Sequence, residues 1–279
     1  MPDIQAVSAN LELGRDGIWY SKDNQAVSYP PGGNDAFFSV EARSFWFKHR
    51  NDCILAAVKA YPPERHGAIF DVGGGNGFVS LALAASGFDV ALVEPGRAGA
   101  SNARRRGLET VICATTATAQ FKPRSLPAVG LFDVVEHIED DLSFLKSLRG
   151  LLKVQGRLYV TVPAYPFLWS GEDVSAGHYR RYTLEGLCSV IERAGFEVEF
   201  SSYIFRFLPV PIALFRVLPY RLGLSPATDT PRAIARDHAV QGGVVAGVLA
   251  RLLKSEIESL EKKRAMGFGG SCLAVARSR

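Results

Sequence analysis

The chain has 279 residues, 47% of them hydrophobic, so it can bury the core of one large domain and is too apolar for wholesale disorder. The formal net charge of +4 is too small to indicate a nucleic-acid-binding protein. Four widely separated cysteines lie in apolar segments, and no basic stretch followed by an apolar run opens the chain. We therefore expect reduced core thiols and a cytoplasmic location.

We predict that residues 1–62 form an N-terminal extension that ends in one helix. Residues 1–40 are mostly polar, and the Pro-Pro-Gly-Gly run at 30–33 is typical of a loop. Apolar side chains then recur at helical spacing from Trp46 to Tyr61, and two prolines end the pattern. We therefore predict a helix that stops at these prolines and carries Arg50 in its first half.

The central motif is the segment 68–79, Ala-Ile-Phe-Asp-Val-Gly-Gly-Gly-Asn-Gly-Phe-Val. An apolar run ends with Asp71-Val72, a glycine cluster follows, and an apolar helical pattern then begins, which predicts a buried strand, a tight turn and a helix. Glycines in such a turn permit positive φ angles and the close approach of a ligand. The next predicted strand, 89–94, ends on the acid Glu94, at the spacing at which such folds bind a ribose hydroxyl pair.

Two features indicate which nucleotide this turn binds. The dinucleotide fingerprint needs a third glycine where Phe78 stands, so that fingerprint fails. The Asp71 carboxylate would repel a pyrophosphate but suits a ligand that carries an ammonium and a sulfonium. The segment 71–77 resembles the first motif of the class I S-adenosylmethionine-dependent methyltransferases, an acid followed by Gly-x-Gly-x-Gly. A glycine turn without a ligand is the alternative.

The resemblance extends over residues 68–200 and implies an α/β, Rossmann-like class I methyltransferase fold. Its sheet would have seven mostly parallel strands with an antiparallel last strand, and helices on both faces. The implied divisions are an N-terminal extension and cap helix (1–62), a cofactor-binding core (63–203), a helical insertion or lid (204–268) and the last strand (269–279).

S-adenosylmethionine is the implied cofactor, and the helix before the first strand would lie across its binding site. In that position Arg50 could bind the carboxylate of the cofactor; the alternative is a packing helix with a solvated basic edge. The residues predicted to bind the cofactor are Asp71, Gly73, Gly75, Asn76, Gly77, Glu94, Pro95, Thr115, Phe132, Asp133 and Arg50.

The third strand, 110–113, departs from the family pattern. Related enzymes often place an acid just after it to bind the adenine amino group, but here the segment 114–118 reads Ala-Thr-Thr-Ala-Thr. A hydroxyl such as that of Thr115, or a backbone carbonyl, would have to accept that hydrogen bond. The preceding helix, 96–106, ends in Arg104-Arg105-Arg106, which we interpret as a solvated face at a helix C-terminus.

The fourth strand and its exit, 128–137, end in Glu136-His137. Ligands bind at the carboxyl ends of strands in open α/β sheets, so Glu136 and His137 are catalytic candidates, with His137 as a candidate general base. Alternatively, both residues only anchor the following loop. The pattern Asp133-x-x-Glu136-His137 is similar to the Glu-x-x-Glu-His of ubiquinone-pathway O-methyltransferases, which bind a divalent cation. We predict no metal, because Asp is shorter and many metal-free relatives carry the same pattern.

The fifth strand, 157–162, leads into a long loop at 163–183, and long ordered loops are usually functional. The stretch 177–182 resembles the Gly-His-aromatic-Arg-Arg-Tyr segment of bacterial class I methyltransferases. The loop's aromatic and cationic side chains suit an acceptor pocket, and His178 is a further catalytic candidate. The residues predicted to bind the acceptor are Tyr165, Trp169, Tyr179, Arg180 and Arg181. The alternative is that both arginines pair with surface acids.

The sixth strand, 196–203, and the last strand, 271–277, frame an insertion of more than sixty residues, 204–268. Its first part, 204–219, is apolar but too broken by proline and arginine to span a membrane. Two interpretations stay open: a lid or dimer surface, or an amphipathic surface at 204–222 that lies on a membrane or a partner. We prefer the first, because the polar faces are mixed in sign.

The sequence therefore predicts an enzyme, monomeric or homodimeric, that moves a methyl group from S-adenosylmethionine to an oxygen, nitrogen or carbon of a small molecule. Nucleic acid is not expected as a partner, because the predicted acceptor region lacks a broad basic surface. Two other classes remain: a catalytically silent cofactor-binding or scaffold protein, and a nicotinamide-dependent reductase, which Phe78 disfavours.

Overall fold

The structure is a computed structural model, and it describes residues 2–22, 38, 41, 44–224 and 244–279. The strands are β1 (Leu11–Leu13), β2 (Trp19–Ser21), β3 (Ile69–Val72), β4 (Val90–Val93), β5 (Val111–Cys113), β6 (Leu126–Phe132), β7 (Leu152–Pro163), β8 (Phe196–Ile204) and β9 (Ser271–Ser278). They form one sheet in the order β1-β2-β5-β4-β3-β6-β7-β9-β8. The predicted loop at 30–33 lies outside the described residues.

The α-helices are α1 (Ile4–Val7), α2 (Phe45–Ala60), α3 (Phe78–Ala85), α4 (Arg97–Arg105), α5 (Asp141–Leu151), α6 (Gly171–Ala176), α7 (Leu184–Arg193), α8 (Pro209–Ile212), α9 (Leu218–Arg221) and α10 (Val244–Glu261). A π-helical turn, Ala213–Val217, joins α8 to α9. Short 3-10 turns lie at Glu64–His66, Val135–His137 and Pro166–Leu168. Within the described residues, no helix combines the length and apolarity that a membrane crossing requires.

The predicted Rossmann-like sheet is confirmed. The strands β3 to β7 pair in parallel, and β9 runs antiparallel between β7 and β8, as expected for the last strand. The strands β4 and β5 lie on one side of β3, and β6 and β7 lie on its other side. The crevice between β3 and β6 is therefore the point of strand-order reversal, where such sheets bind ligands.

The sheet is wider than predicted, because residues 11–21 contribute two strands. β1 and β2 pair antiparallel, and β2 continues the sheet in parallel beside β5. Each strand has three residues, too few for an alternating pattern to show in the sequence. Ile18, just before β2, is 2% exposed and packs with residues of α4, so this part of the extension belongs to the core.

One element boundary also differs from the prediction. The helix α5 ends at Leu151, and β7 begins at Leu152, five residues before the predicted start of the fifth strand at 157. Leucines at helical spacing continue to the end of α5, so the pattern does not mark the change to a strand. The register between β6 and β7 shifts after Leu126, and this irregularity absorbs the extra residues at the start of β7.

Helices cover both faces of the sheet, as predicted. On one face Leu145 and Leu148 of α5 and Ile191 of α7 pack against the strands. On the other face α2, α3 and α10 supply buried residues such as Ile54 and Leu83. Because both faces are buried, the polar groups that the fold can present to a ligand collect at the strand ends.

Candidate active site at the carboxyl edge of the sheet

The glycine turn between β3 and α3 adopts a backbone that side chains disfavour. Gly73, Gly75 and Gly77 have φ angles of 74°, 55° and 73°, in the left-handed region. A Cβ atom at Gly73 would lie 2.9 Å from Cγ2 of Val134, which follows β6. The turn therefore packs against the exit of β6 and needs glycine both for conformation and for space.

Asp71 lies beneath this turn and is 0% exposed. Its Oδ2 accepts a hydrogen bond of 2.6 Å from the Ser80 hydroxyl, while its Oδ1 has no hydrogen-bond partner among the described residues. Burial raises the pKa of this carboxyl to about 6, although the bond from Ser80 acts in the opposite direction. Asp71 is thus an acid with one unused acceptor directly under the turn.

Glu94, at the end of β4, is 2% exposed and bonded to the turn. Its Oε2 accepts from the backbone N–H of Gly75 at 2.9 Å, and its Oε1 accepts from that of Gly96 at 2.8 Å. Burial raises the pKa of Glu94, and these two bonds oppose the shift. A carboxylate has about four lone-pair sites. Both oxygens therefore keep capacity for ribose hydroxyls.

The Asn76 side chain lies in a buried network behind the turn. Its Oδ1 accepts from Asn102 at 3.0 Å, and its Nδ2 donates to Glu41 at 3.3 Å. Arg106 pairs with Glu41 at 2.6 Å and donates to the Asn76 carbonyl at 3.3 Å. The side chain of Asn76 therefore ties the turn to α4, and its contact with the cofactor stays a prediction.

The interpretation of 104–106 as a solvated face is wrong for Arg106. Its side chain is 9% exposed and donates to the Phe38 carbonyl at 2.9 Å, besides its pair with Glu41. Arg106 lies four residues after the buried Asn102, so both occupy the same face of the helical segment. Because Asn102 is itself polar, the spacing does not reveal this burial in the sequence.

Three further residues predicted to bind the cofactor, Pro95, Thr115 and Phe132, lie at the ends of β4, β5 and β6. Thr115 and Thr118 cap each other, since each backbone N–H donates to the other hydroxyl at 3.0 Å. The Thr115 hydroxyl therefore already closes its own turn. Pro95 is half-buried, and its carbonyl faces the Cys113 thiol at 3.8 Å. Phe132 is 6% exposed at the end of β6 and belongs to the core cluster under α2.

Arg50 and Asp133, both predicted to bind the cofactor, pair with each other. Arg50 donates from α2 to Oδ2 of Asp133, and the Thr161 hydroxyl donates to Oδ1 at 3.1 Å. Asp133 has a φ of 58°, which is unusual for a residue other than glycine. This pair brings the cap helix to the carboxyl end of β6. Arg50 already holds a protein carboxylate, so its bond to a cofactor carboxylate stays a prediction.

The three catalytic candidates lie together just beyond β6. The backbone N–H of Tyr179 donates to the Glu136 carbonyl at 2.8 Å and so brings the long loop to the exit of β6. The rings of His137 and His178 are nearly perpendicular, with centroids 4.7 Å apart. Donor atoms of Glu136 and of both histidines lie within 4.8 Å of one another. The sequence suggested each residue separately but could not show this proximity.

Glu136 is 1% exposed, and its Oε2 has no hydrogen-bond partner in the described part of the chain. Burial raises the pKa of its carboxyl well above the usual range, and the charge of Asp133 adds to this effect. Burial also lowers the pKa of His137 below its usual 6.5, assisted by the neighbouring His178. Near neutral pH, His137 is therefore uncharged and able to accept a proton.

Asp173 orients His178 and was not predicted. It is 1% exposed, and its Oδ1 contacts His178 Nδ1 at 2.9 Å and accepts from Arg181 Nε at 2.7 Å. Burial alone would raise the pKa of Asp173, but the hydrogen bonds from His178 and Arg181 lower it to about 2. Because Nδ1 is held by a carboxylate, Nε2 is the nitrogen left for chemistry. In the sequence, Asp173 signals only the start of α6.

The side chains of Glu136, His137 and His178 are also close enough to bind one divalent cation together. This set differs from the Asp133-x-x-Glu136-His137 alternative, since Asp133 is engaged by Arg50 and Thr161. A second group of metal-ligating side chains, His49, Cys53 and Glu256, is fully buried under α2. There Glu256 accepts from two backbone N–H groups, so this group is explained by packing.

The residues predicted to bind the acceptor follow β7. Tyr165 stacks on Tyr203 with ring centroids 5.0 Å apart, Trp169 is half-buried, and Tyr179 is 53% exposed. Arg180 pairs with Asp141 at 2.9 Å, and Arg181 pairs with Asp173. Both arginines thus have acidic partners, as in the alternative interpretation, and their contact with an acceptor stays a prediction.

The geometry agrees with the comparisons to known proteins. The profile of a family described as Methyltransferase domain matches residues 46–200, more than half of the chain. The chain belongs to this methyltransferase family. The predicted relationship to the class I S-adenosylmethionine-dependent methyltransferases is therefore confirmed, and a specific likeness to the ubiquinone-pathway enzymes is not. A search of the curated proteins finds no significant match.

Solved structures show the same fold at low identity. A chain from the complex of the Haloferax volcanii Trm112 activator with a methyltransferase is 15% identical, with a TM-score of 0.55 over 88% of this chain and 97% of that one. An S-adenosylmethionine-dependent methyltransferase of Thermotoga maritima is 19% identical, with a TM-score of 0.54 over 88% and 94%. Phosphoethanolamine N-methyltransferase 2 of Haemonchus contortus, in complex with S-adenosylmethionine, is 19% identical, with a TM-score of 0.54 over 88% and 56%.

Proposed function

We propose that this methyltransferase moves the methyl group of S-adenosylmethionine to an oxygen, nitrogen or carbon nucleophile of a small molecule. The observation that carries this proposal is a convergence at one edge of the sheet. The glycine turn with Glu94 lies on one side of the β3–β6 crevice, and Glu136, His137 and His178 lie on the other. A donor site and a set of proton acceptors are thus adjacent.

The residues present fit the cofactor. The turn at Gly73–Gly77 lets a ligand approach the backbone without a Cβ in the way, Glu94 keeps acceptor capacity for two hydroxyls, and Asp71 Oδ1 offers a buried negative acceptor. When bound, S-adenosylmethionine supplies an electrophilic methyl group on a positively charged sulfur, which the acceptor's nucleophile attacks.

The chain's own contribution is alignment and proton transfer. Neutral His137 takes a proton from the acceptor, and His178 Nε2, held in place by Asp173, is the second candidate for that role. The Arg50–Asp133 pair holds α2 over the edge of the sheet, where it helps to exclude water. Positioning of this kind supplies much of the rate enhancement in a displacement reaction.

We place the acceptor between the loop 165–182 and the insertion at 204–219. Two contacts that join the loop to the insertion, one of them just beyond residue 219, support this location. Arg216 pairs with Glu172 of α6 at 2.6 Å, and Arg221 donates to the Phe167 carbonyl at 3.1 Å. The division of the chain stays a proposal with one amendment, since residues 11–21 join the core sheet.

The test uses the whole purified chain. Calorimetry should detect S-adenosylmethionine binding, and incubation with a labelled methyl donor and a metabolite pool should yield a labelled product in mass spectrometry. Tight binding of a nicotinamide cofactor instead would point to a reductase. Binding of S-adenosylmethionine without turnover on any pool would support the catalytically silent alternative.

A further inference from the structure

The segment from α8 to Leu224 exposes a row of large apolar side chains, which we call the insertion face. Their exposed fractions range from 49% to 76%. The face consists of Val210, Leu214, Phe215, Leu218, Leu222 and Leu224. Four of the six are spaced four residues apart and so occupy one side of the helical stretch, while Pro209 and Val217 on its other side are buried. A contiguous exposed apolar surface marks a site of interaction.

Positive charge borders the insertion face. Residues 204–224 include three arginines and no aspartate or glutamate. Arg206 and Arg221 are exposed, and Arg216 pairs with Glu172, the acid that faces it from α6. From the sequence, we described the charges of the whole insertion as mixed in sign. That description holds for α10, but residues 204–224 carry only positive charges.

The sign of the charge distinguishes between two occupants of the face. A symmetric dimer through this surface would bring the positively charged borders of the two copies together, which is unfavourable. An anionic lipid surface matches both properties, since arginines attract lipid head groups while Phe215 and its neighbours enter the boundary with the acyl chains. The segment from Pro209 to Leu224 is shorter than the about 20 residues that a bilayer crossing takes, and prolines interrupt it.

The apolar surface continues toward the candidate active site. Phe167, Val174 and Tyr179 of the loop are 53%, 57% and 53% exposed. A Cβ atom at Gly171 of α6 would lie 3.3 Å from the ring of Tyr220, so the loop and the insertion are in contact. The backbone of Tyr179 is bonded to Glu136. The loop that carries these exposed apolar side chains therefore links the insertion face to the segment that contains Glu136 and His137.

We propose that the insertion face lies on an anionic lipid surface. The second part of this inference rests on the proposed function: the acceptor is an amphiphile, whose apolar part stays in the lipid while its polar head reaches His137 and His178. A lid that closes in solution over a water-soluble acceptor would instead bury Phe215 and Leu214 against the protein, and both are exposed here.

The test is sedimentation of the full chain with vesicles of phosphatidylcholine, alone or mixed with phosphatidylglycerol. The protein should bind the mixed vesicles, and the double variant Leu214→Glu, Phe215→Glu should bind at least about tenfold more weakly, since two apolar side chains no longer enter the lipid. The control is Val154→Glu, which changes a side chain of similar exposure, 57%, at the opposite end of the parallel strands. It should bind like the unchanged protein.

Several results would overturn the proposal. They are absence of vesicle binding by the unchanged protein, equal binding by the double variant, and a dimer in light scattering that the double variant splits. Thermal unfolding checks that each variant is folded. Calorimetry with S-adenosylmethionine is measured separately, so a failure of the proposed function would show there and leave the vesicle result readable.

The acceptor class has its own readout. With labelled methyl donor and a lipid extract in vesicles, label should enter the lipid fraction, and the double variant should incorporate at least about tenfold less. Label that appears only in water-soluble products would overturn the second part of the inference.

Discussion

Glu94 is the residue at which the candidate cofactor site can be tested most directly. Its carboxylate is bonded to the backbone on both sides, at Gly75 and Gly96, so its position is fixed before a ligand arrives. Glu94→Ala removes both acceptors for the ribose, and a hydrogen bond to a charged group contributes roughly 1.5–3 kcal/mol. We expect affinity for S-adenosylmethionine to fall at least tenfold, roughly 1.4 kcal/mol.

Calorimetry is the measurement for this substitution. The control is Glu109→Ala, which removes an exposed acid before β5 and should leave the affinity unchanged. Equal affinities in Glu94→Ala and the control would exclude Glu94 as the ribose ligand.

The catalytic roles of His137 and His178 can be tested separately. With His137 as the base, His137→Gln should lower kcat by about 10²–10⁴ while the affinity for S-adenosylmethionine is retained. Because the pKa of His137 is lowered, its neutral form persists to more acidic pH, and the rate should fall only as the pH drops through a midpoint below 6.5. A pH profile of kcat for both proteins measures this, and the acidic limb should disappear in the variant.

His178→Gln is the comparison. If the large loss of kcat follows that substitution and His137→Gln is active, His178 is the base. Full activity in both variants would leave alignment of the two substrates as the catalytic device.

Glu136 should cost stability when it is ionised. The pKa of Glu136 is higher in the folded protein than in the unfolded chain. Between these two pKa values the folded protein binds more protons than the unfolded chain. The free energy of unfolding therefore falls as the pH rises through that window. Glu136→Gln mimics the neutral form. At pH 8, with a chelator present, the variant should be more stable by roughly 1–3 kcal/mol, the usual cost of an unsatisfied buried group.

Denaturant unfolding across a pH series measures this difference. The gain should shrink toward acidic pH, where the wild-type carboxyl is protonated in both states. A variant less stable than the wild type at pH 8 would mean that the charge of Glu136 is stabilised in the folded protein.

Among the elements, α2, α10 and the start of the insertion are joined at one buried carboxylate. Glu256 is 1% exposed; its Oε2 contacts His49 of α2 and accepts from Phe205 N–H, both at 2.9 Å, and its Oε1 accepts from Arg206 N–H at 2.7 Å. The cap helix and the insertion are therefore held by the same group. In the sequence, Glu256 is one acid among several on a charged helix, so its role was not predicted.

Glu256→Gln should loosen this junction. An amide matches only some of the donors that the carboxylate accepts, so we expect a loss of roughly 2–4 kcal/mol in unfolding free energy. The control is Glu258→Gln on the same helix, where the ion pair with Lys254 is exposed and 4.0 Å long and contributes little. Denaturant titration of both variants is the measurement, and equal midpoints would contradict the role of Glu256.

Sequence patterns predict some of the helix and strand boundaries but not all of them. Ser44 and Asp140 cap α2 and α5, and Thr183 caps α7, because short polar side chains before an apolar periodic run mark helix starts. The start of β7 was misplaced, because the leucine pattern runs past Gly150 into Leu151 and Leu152 and does not mark the change from helix to strand. The strands β1 and β2 were missed because three residues carry no period.

For the whole molecule, the fold could be predicted from the sequence, but the side-chain pairs inside the candidate site could not. The fold depends on local signals in chain order, such as buried strands, glycine turns and amphipathic helices. The pairs Arg50–Asp133 and Arg106–Glu41 depend on which segments meet in space, and the pair His178–Asp173 depends on how one loop folds back on itself. A single sequence identifies such residues as polar and well placed, but not their partners.

The position of β9 has a consequence for how the molecule forms. This strand, Ser271–Ser278, pairs with β7 along one side and with β8 along the other. Until it has been synthesised, β7 and β8 each present an open edge of backbone donors and acceptors, a known route to aggregation. The part of the sheet formed by β7, β9 and β8 can therefore be completed only after β9 has been made, through contacts between residues that are distant in sequence, and such contacts form slowly.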